Sequence, residues 1–140
     1  MNTPPLVPLR IFLPGMADHT PPVLYSVDLS GCEALAGLEQ ESITATFAAA
    51  LERSGATIVQ EASHLYPDAG LTCVLVLCES HAVLHTWPET GTVNIDIFSC
   101  SIRLRSLDAI DELSRFFGAR HVSVQEIPRA DGHRPLDQRP

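Results

Sequence analysis

Along the 140-residue chain the spacing of hydrophobic and polar positions changes period several times, and each change marks an element. Val23-Leu24-Tyr25-Ser26-Val27-Asp28-Leu29 alternates as a half-buried strand does, and Ser30-Gly31 ends it. From Leu38 to Arg53 apolar and small residues recur at helical spacing, with Ser54-Gly55 as the stop. Ala56 to Ala62 reads as a strand and Pro67-Asp68-Ala69-Gly70 as a turn. Leu71 to Leu77 is a nearly unbroken run of β-favouring residues, which predicts a central strand buried on both faces. Ala82 to His85 is a shorter strand. After a turn at Thr90-Gly91, Thr92 to Phe98 sets Val93, Ile95 and Ile97 against Asn94, Asp96 and Phe98. A second helix spans about Leu107 to Phe117, closed by Gly118, and His121 to Ile127 forms the last strand.

This order predicts an α+β fold: a two-layer sandwich of one mostly antiparallel sheet with two helices packed on one face. The apolar Leu71–Leu77 run asks for cover on the other face as well, which the stacking of two sheets in a homodimer would supply. The chain divides into an N-terminal proline-rich extension (1–21), one domain (22–128) and a polar C-terminal tail (129–140).

Composition narrows the function. With 45% hydrophobic residues the chain can bury a real core. Its longest apolar run is too short to cross a bilayer, and prolines at 4, 5, 8 and 14 interrupt any secretory signal pattern. A cytoplasmic protein with no membrane partner is expected. A net charge of −8 argues against a nucleic-acid partner, which needs clustered basic residues, and suits a cationic small molecule. All nine basic residues are arginines, so a lysine Schiff base to pyridoxal phosphate and a P-loop lysine are both excluded. The four cysteines at 32, 73, 78 and 100 are too scattered for a disulfide framework, and Cys32, Cys73 and Cys78 read as buried packing thiols.

The chemistry-bearing residues crowd into Glu79-Ser80-His81-Ala82-Val83-Leu84-His85-Thr86-Trp87-Pro88-Glu89 and Asp96-Ile97-Phe98-Ser99-Cys100. Ser80 with His85 reads as a nucleophile and its base. Cys78, His81, His85 and Cys100 are of the types that bind zinc, without the paired Cys-x-x-Cys spacing. Ser80 lacks the flanking glycines of a hydrolase elbow. Taken singly, each of these residues fits an ordinary strand.

Taken together they resemble the signature of the prokaryotic S-adenosylmethionine decarboxylase proenzymes. The match is Glu79-Ser80-His81, then His85-Thr86-Trp87-Pro88-Glu89, then Asp96 to Cys100, with Val27-Asp28-Leu29-Ser30-Gly31-Cys32 and Ser54-Gly55-Ala56-Thr57-Ile58-Val59 upstream. The likeness runs without an obvious gap from about Leu24 to Glu126. It implies that the proenzyme cuts itself between Glu79 and Ser80 into chains 1–79 and 80–140. The Ser80 hydroxyl would attack the Glu79 carbonyl, and elimination followed by loss of ammonia would turn Ser80 into a pyruvoyl group. By the same likeness His85 takes the proton in that elimination and Thr72 assists processing. The pyruvoyl ketone would then engage the amine of a small amino-acid-like substrate and take up the electrons left by CO₂. Cys100 resembles the family's proton donor, a role that suits a thiol because neighbours readily move its pKa. Tyr66 stands where the family carries an aromatic, usually Phe, that stacks on adenine and faces the sulfonium. Glu89 matches the glutamate that accepts hydrogen bonds from the ribose.

The chain also departs from the family. Ser101-Ile102-Arg103-Leu104-Arg105-Ser106-Leu107 replaces a Gly, an acidic stretch and a Pro, Cys73 replaces a usual Gly, and the proline after Tyr66 is displaced by one. These changes leave L-arginine or L-ornithine decarboxylation, known among relatives and also leading to polyamines, as an alternative. A non-catalytic homologue acting as a partner or regulator is a second one, although Ser80, His85 and Cys100 are all present. Glu89→Gln is expected to leave self-cleavage intact and to raise KM; steady-state kinetics equal to the parent protein would remove Glu89 from substrate binding.

Overall fold

The computed structural model describes residues 21–78, 80–100 and 104–130. The extension and most of the tail therefore lie outside the described residues. The elements are β1 (Val23–Ser30), a 3-10 turn (Leu35–Gly37), α1 (Gln40–Arg53), β2 (Ile58–Leu65), β3 (Leu71–Leu77), β4 (Ser80–Trp87), β5 (Thr92–Ser99), α2 (Ser106–Phe116) and β6 (His121–Pro128). The strands form one six-stranded sheet in the order β2-β3-β4-β5-β1-β6, antiparallel at every neighbour pair. Both helices cover one face, as the pattern predicts. Among the described residues no helix is long and apolar enough to cross a membrane.

The pleat sorts the side chains. Val27 and Leu29, Leu71, Cys73, Leu75 and Leu77, Ala82 and Leu84, and Val93, Ile95 and Ile97 all point to the helix side and are buried. They meet Ile43, Phe47, Ala50 and Leu51 of α1 and Ala109, Ile110 and Leu113 of α2. Each large aliphatic side chain among them contributes about 1.5–3 kcal/mol on burial. Two arginines lock the helix layer: Arg53 pairs with Glu112 across the helices, and the Arg105 guanidinium donates to the Arg53 carbonyl at 2.7 Å. Gly118, at φ +62°, ends α2 in the left-handed conformation expected of it.

Two expectations change. Strand β3 is second from the edge and buried on one face only: Thr72 and Val74 are half-buried and Val76 is exposed on the other. Within one chain the helices cover only the side of Leu71, Cys73, Leu75 and Leu77, and the other side of the strand is open. Strand β4 is longer than Ala82–His85, because Ser80, His81, Thr86 and Trp87 also pair with β5 or β3.

The β2–β3 hairpin turn carries Tyr66 and sets where its ring stands. It closes with Tyr66 N–H donating to the Gly70 carbonyl at 2.7 Å and Ala69 N–H to the Tyr66 carbonyl at 3.0 Å. Ala69 has φ +69°, the single positive φ among described non-glycine residues. A side chain costs about 1 kcal/mol there. Ala69→Gly should therefore raise the unfolding free energy by about 0.5–1 kcal/mol, net of the entropy glycine adds to the unfolded chain. Ala69→Val should lower it; denaturant melts of both variants check the sign.

Candidate active site

The sheet's open face carries a polar row. Register places His64, Thr72, His85, Asn94, Asp28 and Ser123 opposite one another on successive strands. Directly paired residues hold their Cβ atoms about 5 Å apart, so short polar side chains meet across strands. Thr72 Oγ1 and His85 Nδ1 are 2.8 Å apart, and the Tyr66 hydroxyl lies 3.3 Å from the same Thr72 oxygen. One ring nitrogen of His85 is thus held by a hydroxyl that is itself fixed on a neighbouring strand.

These residues open onto a cavity of about 320 Å³, walled by Tyr66, Asp68, Thr72, His85, Trp87 and Glu89. Four of the residues singled out from the sequence, Tyr66, Thr72, His85 and Glu89, converge here. Tyr66 is 45% exposed, edge-on to His64 at 4.7 Å, and its ring is available to a ligand. Asp68 accepts from the Gly70 N–H at 3.1 Å, which fixes the turn under Tyr66. Sequence reasoning missed Trp87 as a wall; its signal was the even spacing from His85, which puts both on one face of β4. A larger groove of about 810 Å³ between the start of α1 and the β2–β3 turn contains none of the singled-out residues.

Ser80 and Cys100 form a second group at the opposite end of the sheet. His81 pairs with Phe98, so Ser80 lies one residue before that pair and Cys100 two residues after it, on adjacent strands. Ser80 is half-buried and its hydroxyl donates to the Cys78 carbonyl at a long 3.4 Å. Glu79 lies outside the described residues. Ser80 and His85 are five residues apart on one strand, so they sit about 17 Å apart with side chains on opposite faces. Within one protomer the structure does not bring them together.

The same spacing bears on zinc. His81 and His85 share a face but lie about 13 Å apart, whereas ligands of one zinc all lie within about 2.3 Å of it. Among the described residues no group of three His, Cys, Asp or Glu side chains gathers as a metal site. His81 instead stacks on Phe98 at 5.2 Å, with the Arg129 guanidinium 5.8 Å from that ring. Cys32 and Cys73 are buried packing thiols, and burial pushes Cys73 up to about 11 and raises Cys32. Cys78 departs from the packing role expected of it, for it is exposed in the β3–β4 connection. Arg105 ties the helices and pairs with Asp108 at 2.9 Å. Arg103 lies outside the described residues.

Comparison with known proteins identifies the family. A family model described as S-adenosylmethionine decarboxylase matches residues 24–130. The chain is 35% identical over 103 residues to an S-adenosylmethionine decarboxylase proenzyme of Methanococcus maripaludis, covering 74% of this chain and 84% of that one. A proenzyme of the same name from Clostridium tetani is 28% identical over 109 residues, 78% of this chain and 86% of its own. The fold superposes on the crystal structure of the adenosylmethionine decarboxylase from Aquifex aeolicus with a TM-score of 0.71 at 21% identity, over 86% of this chain and 99% of that chain. On the extent of the family match and the identity to the Methanococcus proenzyme, the chain belongs to the S-adenosylmethionine decarboxylase family.

Proposed function

We propose that the protein is a self-processing, pyruvoyl-dependent decarboxylase of the cytoplasm that releases CO₂ from S-adenosyl-L-methionine and so supplies the aminopropyl donor for polyamines. The observation that carries this reading is the Thr72–His85 pair in a cavity walled by Tyr66 and Glu89. A sulfonium is a cation, and the cavity offers it two aromatic faces and the carboxylates of Asp68 and Glu89.

The chain around Ser80 fits conversion to a pyruvoyl group. Ser80 opens β4 after a connection of only Cys78 and Glu79, and Cys78 is exposed. A cut before Ser80 leaves seven paired positions between β3 and β4, so both chains stay in the sheet. When formed, the group supplies a ketone for the substrate amine and a sink for the electrons left by decarboxylation. Cys100, at the same sheet end, returns the proton to the substrate carbon. Tyr66 stacks on the adenine and Glu89 accepts from the ribose hydroxyls. With Nδ1 of His85 donating to the Thr72 hydroxyl, the Nε2 lone pair is left to take the serine Cα proton during processing.

That proton transfer cannot occur within one protomer, because His85 and Ser80 lie about 17 Å apart on opposite faces. We infer that two protomers stack their open faces as a homodimer, and that His85 and Thr72 of one serve Cys100 and Ser80 of the other, Ser80 being the first residue of β4 and reached at the sheet's end. The half-buried Val74 and the exposed Val76 of β3 would gain their missing cover in the same contact.

The test is complementation. Ser80→Ala and His85→Ala chains, produced separately, should both remain uncut. Produced together, they should show cleavage only on the His85→Ala chain, and CO₂ release of about a quarter of the parent's, since half the dimers hold one intact site of two. No cleavage in the mixture, with the parent protein cleaving normally, would contradict the shared site.

A further inference from the structure

Trp87 is the one tryptophan of the chain, and its indole is held by a relay of hydrogen bonds that runs out of the cavity across the sheet. Its Nε1–H donates to Asn94 Oδ1 at 2.6 Å, and the Asn94 amide N–H donates in turn to Asp28 Oδ1 at 2.7 Å. The three residues come from β4, β5 and β1, adjacent strands of the sheet. Asn94 stands directly opposite both His85 and Asp28, and diagonally from Trp87. This chain of donors has one sense only. Asp28 is a carboxylate and accepts, so the Asn94 amide must turn its nitrogen to β1 and its oxygen to the indole.

Trp87 is also 47% exposed, so this bonding is not a by-product of core packing. An indole N–H left in water would satisfy itself there. Instead it is tied down, with the ring facing a cavity whose other aromatic wall is Tyr66, on the separate β2–β3 turn. Two aromatic residues on two independent elements thus line one cavity of about 320 Å³, which suits a flat or cationic group. Hydrogen bonding in series towards a carboxylate strengthens each bond and leaves more electron density on the indole. Tryptophan is already the best aromatic partner of a cation.

We propose that Trp87 is the second aromatic wall of the substrate cavity, and that Asn94 and Asp28 are positioning residues that hold its indole edge so that a purine or sulfonium packs between Trp87 and Tyr66. This rests on the reading of the cavity as the substrate site, and it assigns Asn94 and Asp28, which that reading does not use.

Because Trp87 is the chain's sole tryptophan, its fluorescence reports the site without interference. The probe is 5′-methylthioadenosine, which carries the adenine but has no carboxylate to lose. Titrated into the parent protein it should quench Trp87 emission saturably. Asn94→Ala should weaken that binding about five- to tenfold, the effect of losing one hydrogen bond. It should raise KM for S-adenosylmethionine by a similar factor and leave kcat within about twofold of the parent's. The decisive variants exchange the two partners. Asn94→Asp alone sets two carboxylates side by side and should weaken probe binding. Asp28→Asn/Asn94→Asp restores a donor on β1 and keeps an acceptor for the indole, so it should recover the parent affinity. Binding is the readout for this exchange, since it moves a carboxylate beside His85. A double variant that binds no better than Asn94→Asp, or a saturating probe that leaves the emission unchanged, would overturn the proposal. Loss of self-cleavage or of CO₂ release with quenching intact would instead count against the proposed reaction.

Discussion

Everything in this molecule depends on the register of its antiparallel ladders. Side chains alternate with period 2, so a slip of one residue would exchange the two faces of a strand. In β3, β4, β5 and β1 such a slip would turn Leu75, Leu84, Ile95, Val27 and Leu29 outward and bury Thr72, His85, Asn94 and Asp28. Exposing those five aliphatic side chains removes about 7–15 kcal/mol, which is the whole stability of a typical domain. The apolar core therefore selects the register, and the register assembles the polar row. Thr72 meets His85, and Asn94 meets Asp28, because Leu71, Leu84, Ile95 and Leu29 are buried on the other side.

The same ladders explain how a chain can be cut and stay whole. The connection between β3 and β4 is two residues long and exposed at Cys78, while the strands on either side are paired along their length. Covalent continuity there adds little to what the hydrogen bonds and the shared core already hold. The helices stand apart from this chemistry, joined to each other by Arg53, Glu112 and Arg105 on the far side of the sheet. In the proposed reading, processing and catalysis belong to the open face and the ends of β4 and β5.

Much of the fold was legible in the sequence, because a one-sided sheet under two helices imprints clean periods of 2 and 3.6. The ends of β4 were not, since Ser80 and His81 favour strands only weakly and Pro88, directly after Trp87, reads as a boundary. Leu71–Leu77 read as a central strand because its valines suit a pleated strand at any place in the sheet, and it stands second from the edge. Ser80, His85, Cys100 and the cavity residues came from resemblance to a family, not from spacing. Register then divided them into two groups that no linear reading separates. The Trp87–Asn94–Asp28 chain was hidden for the same reason, as its successive members are 7 and 66 residues apart. Arg105, close in sequence to Cys100, proved to belong to the helix layer, because it stands at the start of α2 and bonds across to α1.

The most direct measurement is the intact mass of the purified protein under denaturing conditions, with Ser80→Ala beside it. Two chains meeting at Glu79/Ser80 are expected, the downstream one lacking a free amine and carrying the mass of a pyruvoyl terminus, while Ser80→Ala remains one chain. A parent protein that stays a single 140-residue chain after long incubation would contradict self-processing, and with it the decarboxylase mechanism.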